Sequence, residues 1–125
     1  RHWVPLIIGD WQKTVPRNDL HARYWTTDYP TVALMPMAAL VKAVDDLDFA
    51  EVDIPALFYY SPKDQVVVAE KIAEFAKEWG GPHKSIMADL QASDDVYAHI
   101  IAGDIVSPAQ TQIAIDKILA WIRAL

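Results

Sequence analysis

The feature that most constrains this chain is a pair of short apolar runs, each followed by a loop with one candidate acid–base residue. The first run is Ile54 to Tyr60, continuing into Ser61-Pro62-Lys63-Asp64-Gln65-Val66-Val67. The second is Lys84 to Ala88, which leads through an acidic loop to His99. A helix-like segment, Val68 to Trp79, lies between them. Ala56 to Tyr60 is apolar without interruption, as in a strand covered on both faces of a parallel sheet. Two strands joined by a helix are expected to be parallel with a right-handed crossover. Both loops then leave the carboxyl ends of their strands, where open α/β sheets gather their chemistry.

Composition narrows the class. The 125 residues are 53% hydrophobic and 22% charged, which is the balance of a folded domain rather than a disordered one. A net charge of -6, with Lys and Arg scattered, argues against a nucleic-acid footprint. There is no cysteine, hence no disulfide framework and no thiolate metal site, and the compartment is expected to be reducing, the cytoplasm. No apolar run approaches the roughly 20 residues that span a membrane.

The remaining elements follow from capping and periodicity. Residues 1–53 read as helical and irregular, and residues 54–125 as alternating strand and helix. Asn18 is an expected N-cap for a helix from Asp19 to Trp25, which Pro30 closes off. Pro36 suits the first turn of a second helix reaching Leu47, with Met37, Leu40, Val41, Val44 and Leu47 on one stripe. That stripe reads as ordinary core, and Asp45, Asp46 and Asp48 oppose the helix dipole at the far end and should stop the helix. Ile72, Phe75, Ala76 and Trp79 give the middle helix its apolar face, and Gly80-Gly81 is expected to terminate it. Pro108 opens the last helix, whose buried side is expected to be Ile113, Ile115, Ile118, Leu119 and Ile122, widened by Trp121. With only two clear strands, an exposed apolar edge would remain. Further strands are therefore expected upstream or on another polypeptide.

Asp64 and His99 are the residues suited to chemistry. A carboxylate at a strand end can hold an imidazole in one tautomer and stabilise its protonated form. An imidazole can take a proton from a hydroxyl and return it to a leaving group. The plainer alternatives are a turn aspartate and a packed histidine. His2, His21 and His83 are weaker candidates by position, and no histidine spacing suggests a metal. Asp89, Asp94 and Asp95 read as a solvated loop, since the spacing of a calcium loop is missing. Ser61 is the sole serine before Asp64, and no G-x-S-x-G occurs. Ser93 and Ser107 sit in loops, and Ser107-Pro108 reads as the entry to the last helix.

Taken together, Asp53 to Val67 resembles the acid-loop segment of α/β-hydrolases, in particular the monoacylglycerol lipase and lysophospholipase-like branch grouped with serine aminopeptidase-type enzymes. Ala98-His99-Ile100-Ile101-Ala102-Gly103-Asp104-Ile105-Val106-Ser107-Pro108 resembles that branch's histidine loop. Tyr29 to Met37 and the helix after it resemble its cap-to-core junction. The resemblance spans about Asn18 to Leu125. It implies an α/β fold: the carboxyl-terminal part of a hydrolase sheet over 54–125, with a cap or lid-like helical region over 1–53. It implies a nucleophile, acid, histidine chain order, with Asp64 as triad acid and His99 as general base for a serine outside this sequence. The expected substrate is an ester, acyl or lipid-like, with no cofactor, and the chain alone should be inactive. The sequence departs from the branch where Asp94-Asp95-Val96-Tyr97 replaces a glycine shortly before the histidine. The same fold with an upstream Asp nucleophile, as in dehalogenases and epoxide hydrolases, and a non-catalytic ligand-binding module are the competing readings.

Overall fold

The computed structural model describes residues 9–125, and His2 lies outside them. The chain has mixed α/β content and divides into two compact units, one ending at Leu47 and one running from Asp48 to Leu125. Residues 48–53 thus belong with the second unit.

In the first unit, strands β1 (Trp11–Lys13) and β2 (Asp28–Pro30) pair antiparallel, with Gln12 opposite Tyr29. Between them runs helix α1 (Asp19–Tyr24), and the Asn18 side chain caps it by accepting the His21 N–H at 2.8 Å. The strands depart from the purely helical and irregular expectation. Three residues are too few for an alternating pattern to show. Thr31 is fully buried beside this pair: its hydroxyl donates to the Gly9 carbonyl at 2.6 Å and accepts from the Gln12 amide at 3.0 Å. Helix α2 (Leu34–Asp45) carries Pro36 in its first turn and stops at the aspartates, with Asp46 as its C-cap. Its apolar stripe is not core, for Met37, Leu40, Val41, Val44 and Leu47 are all exposed.

The second unit is built on a parallel pair. Strand β3 (Ala56–Tyr60) lies beside β4 (His83–Met87), with Ala56 level with His83 and Tyr60 level with Met87. Helix α3 (Ala69–Glu78) connects them and packs on both strands. The apolar face expected from spacing is the one that packs. The Phe75 ring lies 5.9 Å from Phe58 and 4.2 Å from Phe49, and Trp79 lies 5.7 Å from Phe58. Edge-on aromatic pairs at these separations add to simple area burial. The last helix, α4 (Pro108–Ile122), meets the pair differently: the Lys117 ammonium sits 5.4 Å from the Tyr59 ring centroid. Phe58 and Tyr59 are consecutive in a strand and point to opposite faces. The two helices therefore approach opposite faces of the pair.

The expected buried side of α4 is corrected by the structure. Ile113, Ile115, Ile118, Leu119 and Ile122 are all exposed. The inward stripe is Gln110 and Ala114, both buried, continued by half-buried Lys117 and Trp121. These recur at three- and four-residue steps, so they share one helix face. Gln110 turns that face inward because its amide donates to the Asp89 carbonyl at 3.1 Å and to the Asp94 carboxylate at 2.9 Å.

The reason for Gly80 and Gly81 also differs from expectation. Neither adopts the left-handed conformation of a helix C-cap; the helix ends with Trp79 in an extended conformation. Space is the constraint. A Cβ on Gly80 would collide with the Ala50 carbonyl, and one on Gly81 with the Ile54 carbonyl. The Gly80 N–H donates to the Phe49 carbonyl at 3.0 Å, and the Trp79 indole N–H to the Ile54 carbonyl at 2.9 Å. The backbones meet directly, which leaves no flexible side chain to move aside. Gly80→Ala is expected to cost about 1–3 kcal/mol, as overpacking does. Urea denaturation checks this, and an unchanged midpoint would remove the close approach as a constraint.

Candidate active site

Parallel pairing brings the two loops together. Ala88 N–H donates to the Tyr60 carbonyl at 2.8 Å, so both strands end at the same level. Beyond that point, the Asp64 loop and the His99 loop are joined twice by Gln65. Its backbone N–H donates to the Tyr97 carbonyl at 2.9 Å and its side-chain amide to the Val96 carbonyl at 3.2 Å.

Asp64 combines the turn role and the partner role that its sequence position left open. Oδ1 accepts the N–H groups of Val66 and Val67 at 2.8 and 3.0 Å, which closes the turn leading to α3. Oδ2 lies 2.9 Å from His99 Nδ1. The Asp64 side chain is only 4% exposed, whereas that of His99 is 41% exposed. Burial pushes the Asp64 carboxyl up, but hydrogen bonds from the Val67 N–H, from His99 and from the Val66 N–H, with the His99 charge, more than offset it. Its pKa consequently lies below the ordinary 3.8.

An ionised carboxylate can only accept hydrogen bonds. Nδ1 of His99 must then carry the proton in this pair, which leaves a lone pair on Nε2 in the neutral ring. Nε2 has no hydrogen-bond partner among the described residues. A fixed tautomer with an accessible basic nitrogen is what a general base requires.

The loop before His99 is not the solvated acidic loop expected. Asp94 and Asp95 are 4% and 5% exposed, and only Asp89 lies at the surface. Asp95 accepts the backbone N–H groups of His99 and Ile100 on Oδ2, at 3.0 and 2.9 Å. Asp94 Oδ2 accepts the Gln91 N–H at 2.8 Å and the Gln110 amide at 2.9 Å. N–H donors replace lost water at Asp95 and at Asp94 Oδ2, while Asp94 Oδ1 is buried with no hydrogen-bond partner among the described residues. Ala98, immediately before the histidine, has φ of 51°, the left-handed region that glycine adopts freely. The chain thus keeps a glycine-type conformation there with a different residue.

Ser61 and Ser107 are held in local hydrogen bonds. Ser61 is 1% exposed and its hydroxyl accepts the Lys63 N–H at 3.1 Å. Ser107 does enter α4, yet its hydroxyl does not cap it; it is committed to the histidine loop, accepting the Asp95 N–H at 3.0 Å. Ser93 sits in the loop before Asp94 and has no bond to His99. His21 is buried, accepting the Arg17 N–H on Nδ1 at 3.1 Å, and His83 lies 3.1 Å from the Gly81 carbonyl through Nδ1. Neither shares the Asp64 loop. Among the described residues, no group of three or more metal-binding side chains gathers and no helix is long and apolar enough to cross a membrane. Gln65 and Asp95 are the site residues that spacing did not reveal. An amide just after the acid and an Asp four residues before the histidine were the available signals.

In comparisons with known proteins, no family model, no curated protein and no solved structure matches this chain.

The lowered pKa of Asp64 carries a stability consequence. The unfolded chain binds the proton more readily, so the stabilisation is complete above the ordinary carboxylate value and is lost as pH falls through the lower native value. Asp64→Asn is expected to be less stable than the parent by about 1–3 kcal/mol at neutral pH, the usual cost of a hydrogen bond to a charged group. Denaturation at a series of pH values should show that gap closing as pH drops from 5 to below 3. A gap independent of pH would mean that the carboxylate charge contributes nothing.

Proposed function

We propose that this chain is the carboxyl-terminal part of a serine hydrolase that cleaves carboxylic esters, acyl or lipid-like in character. The observation that carries the reading is the 2.9 Å bond from His99 Nδ1 to the buried Asp64 carboxylate, with Nε2 open. The parallel β3–β4 pair, approached by a helix on each face, and the resemblance of both loops to the α/β-hydrolase branch support it.

In this reading a serine hydroxyl from outside the chain approaches Nε2. His99 removes its proton as the oxygen attacks the ester carbonyl carbon. The carbonyl π electrons move to oxygen, giving a tetrahedral intermediate whose oxyanion is held by backbone N–H groups beyond this chain. Asp64 stabilises the protonated imidazole without taking its proton. His99 then returns the proton to the departing alkoxide, leaving an acyl-enzyme. Water repeats the cycle: His99 deprotonates it, the acyl group leaves as the acid, and the serine regains its proton. The first unit, which ends at Leu47, would serve as the cap region, and the protein would work in the cytoplasm.

His99→Ala in the complete protein is expected to lower kcat by about 10³-fold or more, the scale on which single triad members act, with the thermal midpoint nearly unchanged. Ester turnover alongside thermal unfolding checks this. Near-normal turnover in the folded variant would remove His99 from the mechanism. The 125-residue chain by itself should not turn over esters.

A further inference from the structure

We infer that Asp95 is a positioning residue for His99, setting the backbone from which the imidazole reaches Asp64; this rests on the acid–base reading of the pair. His99 lies in an irregular loop with no helix or strand to fix its main chain. Its backbone is held instead by one carboxylate. Asp95 Oδ2 accepts the N–H of His99 at 3.0 Å and of Ile100 at 2.9 Å, and Oδ1 accepts that of Tyr97 at 3.3 Å. These bonds bracket Ala98, the residue with φ of 51°, whose own N–H donates to the Asp95 carbonyl at 2.8 Å. A left-handed alanine is held only where its surroundings determine it.

Ser107 closes the cradle from the other side. Its hydroxyl accepts the Asp95 N–H and donates to the Ile100 carbonyl, tying both ends of the loop to the first residue of the α4 entry. Asp95 and Ser107 are 5% and 0% exposed, so water does not compete for these bonds. The geometry separates two tasks. Asp64 sets the tautomer of the ring, and Asp95 sets where the ring stands. A displacement of about 1 Å at a reacting group is enough to cost large rate factors.

The test reads a hydrogen bond rather than turnover, which separates it from the hydrolase reading. Proton NMR of the complete protein, with nitrogen-15 labelled histidine, follows the Nδ1–H of His99. In the parent, that proton is expected downfield and protected from exchange. In Asp95→Ala it is expected to be lost, while the amide dispersion of β3 and β4 persists. Asp95→Asn keeps one oxygen to accept the His99 and Ile100 N–H groups and is expected to restore the signal. A folded Asp95→Ala chain with the parent signal would overturn the proposal alone. If Asp95→Ala does not fold, Ser107→Ala decides: loss or broadening of the signal supports the cradle, and an unchanged signal overturns it. No protected proton in the parent would remove the Asp64–His99 pair itself, and the proposal with it.

Discussion

The parallel pairing of β3 and β4 is the constraint on which the second unit depends. Two strands running the same way, level from Ala56 and His83 to Tyr60 and Met87, must release their chains at one edge. An antiparallel pair would have sent the acid loop and the histidine loop to opposite ends. The parallel arrangement demands a crossover, and α3 supplies it while covering the Phe58 face. The glycine pair after α3 then lets the chain return close under the backbone of residues 50–54. Each of these follows from how the strands run.

At that edge, polar groups divide the work by atom. One Asp64 oxygen belongs to its own turn and the other to His99. One Asp95 oxygen holds the histidine's backbone. Gln65 links the loops through the Tyr97 and Val96 carbonyls. The arrangement contrasts with the rest of the surface, where many large apolar side chains of α2 and α4 are exposed. Proteins seldom leave such extended apolar patches bare. In a hydrolase of which this chain is the carboxyl-terminal part, those faces would be covered by the remaining strands and helices.

Most of the second unit was legible in the sequence because its signals are local. The apolar run of β3, the amphipathic face of α3 and Pro108 at the start of α4 each identify an element without reference to the others. The candidate pair was legible for a related reason: strand ends mark where an acid and a base can meet. What escaped were features set by tertiary partners. The buried face of α4 is fixed by Gln110 reaching Asp89 and Asp94, which overrides the count of isoleucines. Asp94 is held by the Gln110 amide of the last helix, and Asp95 by N–H groups of its own loop as it folds back, so their charges alone suggested solvent. The strands β1 and β2 pair across an intervening helix and are too short to carry a period. Gly80 and Gly81 suggest a conformational helix stop by residue type, where the structure shows a steric constraint.

The central claim is that Asp64 and His99 serve a serine nucleophile. The most direct test is an intact mass of the protein from its native source, with and without a fluorophosphonate probe. The account requires a species longer than these 125 residues that contains this chain and gains one probe adduct on a serine outside it. A native species that contains the chain, is folded, and takes up no adduct would contradict the serine hydrolase.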